Sequence, residues 1–154
     1  MVNIMEDKLI IRKAASKEEL EELYDLRWKL LRKPWNQPKG SERDEKEDES
    51  YSFIAILDNK IVGTARLHKN NEKEGQIRYL AVEKEYQKMS IGKNLMKKIE
   101  MHAINLRLES IILNSRKTAE HFFEKLGYKV IKKGHTLFDE IEHFVMRKSL
   151  VNAN

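Results

Sequence analysis

The 154 residues contain no cysteine. That excludes a disulfide framework, a thiol nucleophile and a cysteine-based zinc knuckle, and it points to a reducing cytoplasm as the expected home. No apolar run approaches the roughly 20 residues that cross a bilayer, so no membrane partner is expected. The N-terminal MVNIMEDKLIIRK lacks the basic start and long apolar block of a signal peptide. No histidine pair has metal-ligand spacing backed by a third ligand, so no metal is expected. There is also no basic stripe with interleaved aromatics. The net charge of +5 arises from 30 basic residues scattered among 25 acidic ones. Nucleic acid is therefore not an expected partner, and the charge reads as surface solvation.

What is present suits a globular fold. Hydrophobic residues make up 40% and charged residues 36%, with neither a repeat nor a boundary, so 1–154 reads as a single domain. Lys8 to Lys13 is a short strand. Ser16 followed by Glu19 is a capping box that opens a helix with Leu20, Leu23, Tyr24, Leu30 and Leu31 on its apolar side. The helix stops by Pro34. Lys39 to Ser50 is a polar tract rich in Glu42, Asp44, Glu45, Glu47, Asp48 and Glu49, read as a loop or a short exposed helix. Ser52–Leu57 and Ile61–Lys69 flank the hairpin signal Asp58-Asn59-Lys60.

A third strand follows, and with it the central stretch, QIRYLAVEKEYQKMSIGKNLMKK, from Gln76 to Lys98. Ile77, Tyr79 and Ala81 alternate with Arg78, Leu80 and Val82, apolar on both faces, as in an interior strand. The loop Gln87-Lys88-Met89-Ser90-Ile91-Gly92 opens a helix whose stripe is Ile91, Leu95, Met96, Ile99 and Ala103. Unpaired N–H groups and the positive dipole end make such a junction a ready phosphate site. Small Ser90 and Gly92 allow close approach, and Lys88 and Lys93 add charge. Ile111–Asn114 is a short apolar strand parallel to the central one, the helix serving as crossover. Lys117–Leu126 is a helix with Ala119, Phe122, Phe123 and Leu126 inward, stopped by Gly127. Tyr128–Lys132 is a strand, Gly134 starts a turn, and His143–Lys148 is the last strand.

Gln87-x-x-Ser90-x-Gly92, with NSRKTAEHFFEKLGY (Asn114–Tyr128) downstream, resembles the GNAT superfamily of acyl-CoA-dependent N-acyltransferases. The resemblance covers nearly the whole chain. It implies an α/β (α+β) fold: a mixed, mostly antiparallel sheet flanked by helices, with a splayed parallel strand pair at the centre. It implies acetyl-CoA as co-substrate, its pyrophosphate on the N–H groups of Met89, Ser90, Ile91, Gly92 and Lys93. The pantetheine arm would pair with Leu80, Ala81 and Val82 as an added strand does. Asn114, Phe122 and Lys125 would lie along it; their structural alternatives are a cap, a core ring and a solvated cation. The family pattern at the loop is Gln/Arg-x-x-Gly-x-Gly/Ala, so Ser90 replaces a glycine, a change that matters if the position needs a positive φ.

The implied reaction is direct attack of an amine on the thioester, with a small-molecule or peptide amine as acceptor. A base must take the ammonium proton, and His68 and His143 lie on strands that border the acceptor side in the family. The oxyanion would meet the N–H of Ala81 or Val82. The thiolate usually takes a proton from a tyrosine, yet Phe123 stands where Phe-Tyr is common; Tyr79 is the alternative donor. Trp35 is a candidate for the acceptor pocket, and the acidic tract Glu42–Glu49 a candidate attractor of a cationic acceptor. Because of Phe123, a catalytically weak acyl-CoA-binding regulatory or interaction protein stands as the alternative function. A homodimer stays open, since dimers are common in such folds and no interface is legible.

Overall fold

A computed structural model describes residues 8–151 of the chain. The strands are β1 (Ile10–Lys13), β2 (Tyr51–Leu57), β3 (Lys60–Lys69), β4 (Glu74–Val82), β5 (Ser110–Arg116), β6 (Lys129–Leu137) and β7 (Ile141–Ser149). The α-helices are α1 (Lys17–Leu31), α2 (Ile91–Asn105) and α3 (Glu120–Lys125). The strands form one sheet in the order β1-β2-β3-β4-β5-β7-β6. It is mostly antiparallel, with β4–β5 as the parallel pair. The chain divides into two compact units. The first holds residues up to Arg66 with Tyr79–Ile99; the second holds Leu67–Arg78 with the residues from Glu100 onward.

In the first unit, local rules set the elements. Ser16 Oγ accepts from Glu19 N–H at 3.1 Å, and Glu19 Oε1 accepts from Ala15 N–H at 2.7 Å, so one first-turn donor of α1 and the N–H just before its cap are occupied. Asp58 and Asn59 both adopt positive φ, the two-residue turn whose twist matches the β2–β3 hairpin. Leu23, Leu26, Ile54 and Ile61 form a buried cluster under α1. Helix α2 sits close on β3 at Gly63, where a Cβ would come within 3.2 Å of Ile91 Cγ2 and of Leu95 Cδ1. Ile91, Leu95, Met96 and Ile99 are all fully buried, as the helical spacing predicts.

The acidic tract departs from its expected solvation. It folds as successive turns ending in a 3-10 helix, Glu47–Glu49. Glu42 is buried, and the side chains of Asp44 and Glu47 are mostly covered because buried arginines hold them.

In the second unit the core is Leu67, Ile77, Ala103, Leu108, Ile111, Leu113, Phe123, Tyr128, Ile141 and Met146. Tyr128 donates to Glu100 Oε2 at 2.8 Å, and Lys148 Nζ donates to Glu100 Oε1 at 2.8 Å. Burial and the facing carboxylate push the Tyr128 phenol up, so this tyrosine stays neutral.

Three expectations are corrected here. Gly134 starts no turn: β6 runs through it to Leu137, with register shifts between Val130 and Lys132 and between Lys133 and Thr136. A Cβ at Gly134 would stand 3.2 Å from His143 O, so this glycine serves close strand approach, and the turn falls at Phe138-Asp139, both at positive φ. The helix expected over Lys117–Leu126 begins as 3-10 (Lys117–Ala119) before α3. Phe122 is 36% exposed rather than inward, while Phe123 is buried.

Candidate active site

The β4–α2 junction lies within the first unit. After Val82 come a 3-10 helix (Lys84–Met89), Ser90 in the left-handed region, and then α2. Gln87 Nε2 donates to Val82 O at 3.0 Å, which braces the loop on the strand end. The first bond of the helix runs from Asn94 N–H to Ser90 O at 3.0 Å. The N–H groups of Ile91, Gly92 and Lys93 therefore precede any intrahelical acceptor, at the positive end of the dipole. Lys88 and Lys93 are exposed beside them. This is the chemistry of an anion cradle.

Ser90 sits at φ 60°, ψ 23°. The position thus does require the backbone that glycine adopts at no steric cost, and a serine is strained there by about 1–2 kcal/mol. Ser90→Gly relieves that strain but loosens the unfolded chain by roughly 0.4–1 kcal/mol. The expected net is a stabilisation of about 0.5–1 kcal/mol in urea unfolding, with the cradle intact.

On β4, burial alternates so that Ile77, Tyr79 and Ala81 are buried while Leu80 and Val82 are half-exposed. The parallel register runs from Glu74↔Ser110 to Ile77↔Leu113 and stops. Two residues later Tyr79 takes φ 60°, a left-handed position of the kind that bulges a strand and ends its pairing.

Tyr79 is surrounded by charge. Its ring centre lies 4.2 Å from the Arg27 guanidinium carbon, 4.9 Å from that of Arg66 and 5.7 Å from that of Arg32. Its hydroxyl donates to Asp44 Oδ2 over a long 3.4 Å. Arg66 grips Asp44 with two bonds, Nη1 to Oδ1 at 2.7 Å and Nη2 to Oδ2 at 3.0 Å. Glu47 Oε1 accepts from Arg27 Nη1 and Arg66 Nη1, each at 2.8 Å. Desolvation pushes the Arg27 proton affinity down, with Glu47 and Tyr79 pulling it up and Arg66 adding to the fall. Local sequence patterns missed this cluster. Two signals pointed to it: Arg66 inside the apolar run IVGTARL, and Arg27 between Leu23 and Leu30 on the apolar stripe of α1.

The other candidates lie in the second unit. His68 is buried at the end of β3, and its Nε2 meets Asn70 Oδ1 at 3.1 Å. Asn70 Nδ2 in turn bonds Glu74 and Gln76, so His68 is tied into the β3–β4 turn. His143 lies opposite Arg116 in the β5–β7 register, stacks on His135 with ring centres 4.6 Å apart, and meets Ile141 O through Nδ1 at 3.0 Å. Burial foremost, then the charges of His135 and Arg116, hold its imidazole below the ordinary 6.5, against the pull of the Ile141 and His135 carbonyls. It is mostly neutral at pH 7, as a base requires. Below pH 6.5 the unfolded chain binds this proton more readily than the folded one. The His143 contribution to stability is therefore full above about 6.5 and is lost as pH falls through that value toward the folded one. Urea midpoints across this window should rise with pH, with a smaller slope in His143→Gln.

Asn114 stays within β5, half-buried and opposite Val145, and Arg116 takes the cap position instead. Lys125 is exposed at the end of α3. Phe123 packs edge-to-face on Tyr128 at 6.0 Å and on Phe122 at 5.0 Å, a core ring with no proton to give.

Comparisons with known proteins bear on the fold and the family. A Bacillus subtilis (strain 168) protein assigned as an acetyltransferase is 26% identical over 141 residues, 90% of this chain and 95% of that one. An aminoglycoside 6′-N-acetyltransferase crystallised with coenzyme A superposes with a TM-score of 0.79 at 17% identity, over 94% of this chain and 99% of the other. A GNAT family acetyltransferase from Elizabethkingia anophelis with acetyl-CoA bound gives 0.75 at 14%, over 93% and 99%. At such identities these structures establish the fold. The model of the acetyltransferase (GNAT) family matches residues 20–128, most of the chain, and the protein belongs to that family.

Proposed function

We propose that the protein, acting as one catalytic domain, transfers the acetyl group of acetyl-CoA to a primary amine of a small molecule or peptide by direct attack. The observation that carries the reading is the β4–α2 junction: a left-handed Ser90 followed by the open first turn Ile91–Lys93, eight to eleven residues after Val82, the end of β4, whose parallel register stops at Ile77. The residues fit the co-substrate. Met89–Lys93 offer N–H groups and the dipole to its pyrophosphate, Lys88 and Lys93 add charge, and Gln87 holds the loop against Val82. Leu80–Val82 offer main-chain groups to the pantetheine amides, as an edge strand does. Asn114, Phe122, which is 36% exposed, and Lys125 are the further residues proposed to contact the co-substrate.

Acetyl-CoA supplies an acyl group on a good leaving group, a thiol of pKa about 8.5. An N–H of Ala81 or Val82 stabilises charge developing on the carbonyl oxygen. His143, held neutral, takes the ammonium proton directly or through water. The absence of cysteine favours action in a reducing cytoplasm.

The test is thermal unfolding with acetyl-CoA, CoA and ATP, followed by release of CoA thiol across an amine panel. Ligand at 100 times its dissociation constant should add about 2.7 kcal/mol of stability. A shift with both CoA species and none with ATP, plus sustained turnover, supports the reading. No shift at millimolar acetyl-CoA overturns it.

A further inference from the structure

The β6–β7 hairpin leaves a regular ladder at His143. Lys133 pairs with Phe144 and Thr136 with Glu142, so two residues of β6, Gly134 and His135, face the single residue His143 of β7. That two-against-one count is a β-bulge, a device that re-aims a side chain. A regular ladder would set His135 opposite Glu142, on the other face of the sheet from His143. The extra residue brings it round instead, and the two imidazoles stack with ring centres 4.6 Å apart and planes 13° from parallel. Glycine lets the strands close there, for a Cβ at Gly134 would stand 3.2 Å from His143 O and 3.4 Å from His143 Cβ.

The His143 ring is held on its other sides too. It is buried, and β5 sets Arg116 opposite it. Ile141 O can only accept, so at 3.0 Å from Nδ1 it fixes the proton of neutral His143 on Nδ1 and leaves the lone pair on Nε2. Packing alone does not require this arrangement, since a regular ladder with an apolar residue opposite His143 would cover the ring without disrupting the pairing.

We propose that His135, presented by the Gly134-His135 bulge, is a positioning residue that holds the His143 imidazole in one plane and one tautomer. The proposal rests on the reading of His143 as the base of acetyl transfer, and it names the neighbour that sets that base. Ammonium and thioester become amide, thiol and one proton. That proton passes to Nε2 of His143, directly or through water, and on to solvent; His135 touches none of the reacting atoms.

The groups around the ring act on its charge in opposite senses. Burial foremost, then His135 from β6 and Arg116 from β5, disfavour the imidazolium, while the Ile141 and His135 carbonyls favour it. Lys132 is exposed farther along the same face of β6, opposite Val145. Glu142 alternates to the other face of β7, where it pairs with Lys117 at 3.9 Å.

His135 is exposed, so replacing it leaves the core intact. NMR of the imidazoles across pH, with His143 assigned by its loss in His143→Gln, reads the ring directly. His143 should titrate below 6.5 as the Nδ1–H tautomer. His135→Ala uncovers one face of the ring and removes a like charge, so the step should rise toward 6.5 and the tautomers should mix. His135→Phe keeps a flat ring that cannot charge; it should restore the single tautomer, with a step between those of the parent and His135→Ala. With an amine that turns over, the acid limb of kcat/KM should move to higher pH in His135→Ala by the same amount as the NMR step. Its plateau kcat should fall roughly tenfold, part of the 10²–10⁴ that a general base contributes, with KM for acetyl-CoA changed less than twofold and most of kcat recovered in His135→Phe. A His143 step and tautomer unchanged in His135→Ala, whatever its stability, overturn the proposal. If the step moves while the acid limb stays, or while no acetyl-CoA is turned over, the held ring stands and the reading of His143 as the base falls, so the two failures are distinguishable.

Discussion

Replacing Arg66 with methionine is expected to destabilise the protein by about 3–5 kcal/mol, the range for breaking a buried ion pair from one side. The Arg66 side chain is wholly buried, those of Asp44 and Glu47 are 15% and 10% exposed, and three bonds of 2.7–3.0 Å join them. Methionine fills the volume and leaves both carboxylates facing it, with Arg27 the remaining cation bonded to Glu47. Against a total stability of 5–15 kcal/mol the loss is large. It should appear as a fall in the urea midpoint at unchanged m-value. Adding Asp44→Asn should recover part of the loss, because the stranded charge rather than the missing cation carries the cost; a double-mutant cycle measures the coupling. Lys117→Met is the contrast. Its pair with Glu142 spans 3.9 Å with both side chains about half exposed or more, so it should cost at most about 1 kcal/mol. A similarly small loss at Arg66 would mean that water reaches the cluster.

Legibility followed the range of the forces. Contacts within four residues were readable: Ser16 with Glu19, the Asp58-Asn59 turn and the stripe of α2 all stand where the residues placed them. The loop between β4 and α2 was readable for the same reason, down to Ser90 as the residue whose backbone takes a positive φ. The Arg27–Glu47 and Arg66–Asp44 pairs span about twenty residues, and nothing local distinguishes a carboxylate that will be gripped from one that will be solvated. Hence the acidic tract read as a solvated attractor of cations, whereas Asp44 and Glu47 are already neutralised by arginines of the same chain. The left-handed backbone of Tyr79 had no signal at all, since turn chemistry favours glycine or asparagine there and tertiary packing overrides it. The same override moved the last turn from Gly134 to Phe138-Asp139.

Gly92→Asp is expected to separate the stability of the helix from its proposed use. A carboxylate in the first turn of α2 interacts favourably with the dipole, by about 0.3–1 kcal/mol, and aspartate is sterically tolerated in an α-helix. The same carboxylate would stand among the N–H groups assigned to the pyrophosphate, taking their place and repelling its charge. The folded protein should therefore unfold at an equal or slightly higher urea concentration, while KM for acetyl-CoA rises at least 100-fold. That factor corresponds to about 2.7 kcal/mol, the scale of a few lost charge-assisted hydrogen bonds. Gly92→Ala is the control for bulk alone, and it should shift KM by much less. If Gly92→Asp folds and binds acetyl-CoA as before, the first turn of α2 is not the phosphate site. A stable helix that no longer holds the ligand would place the anion there by charge rather than by shape.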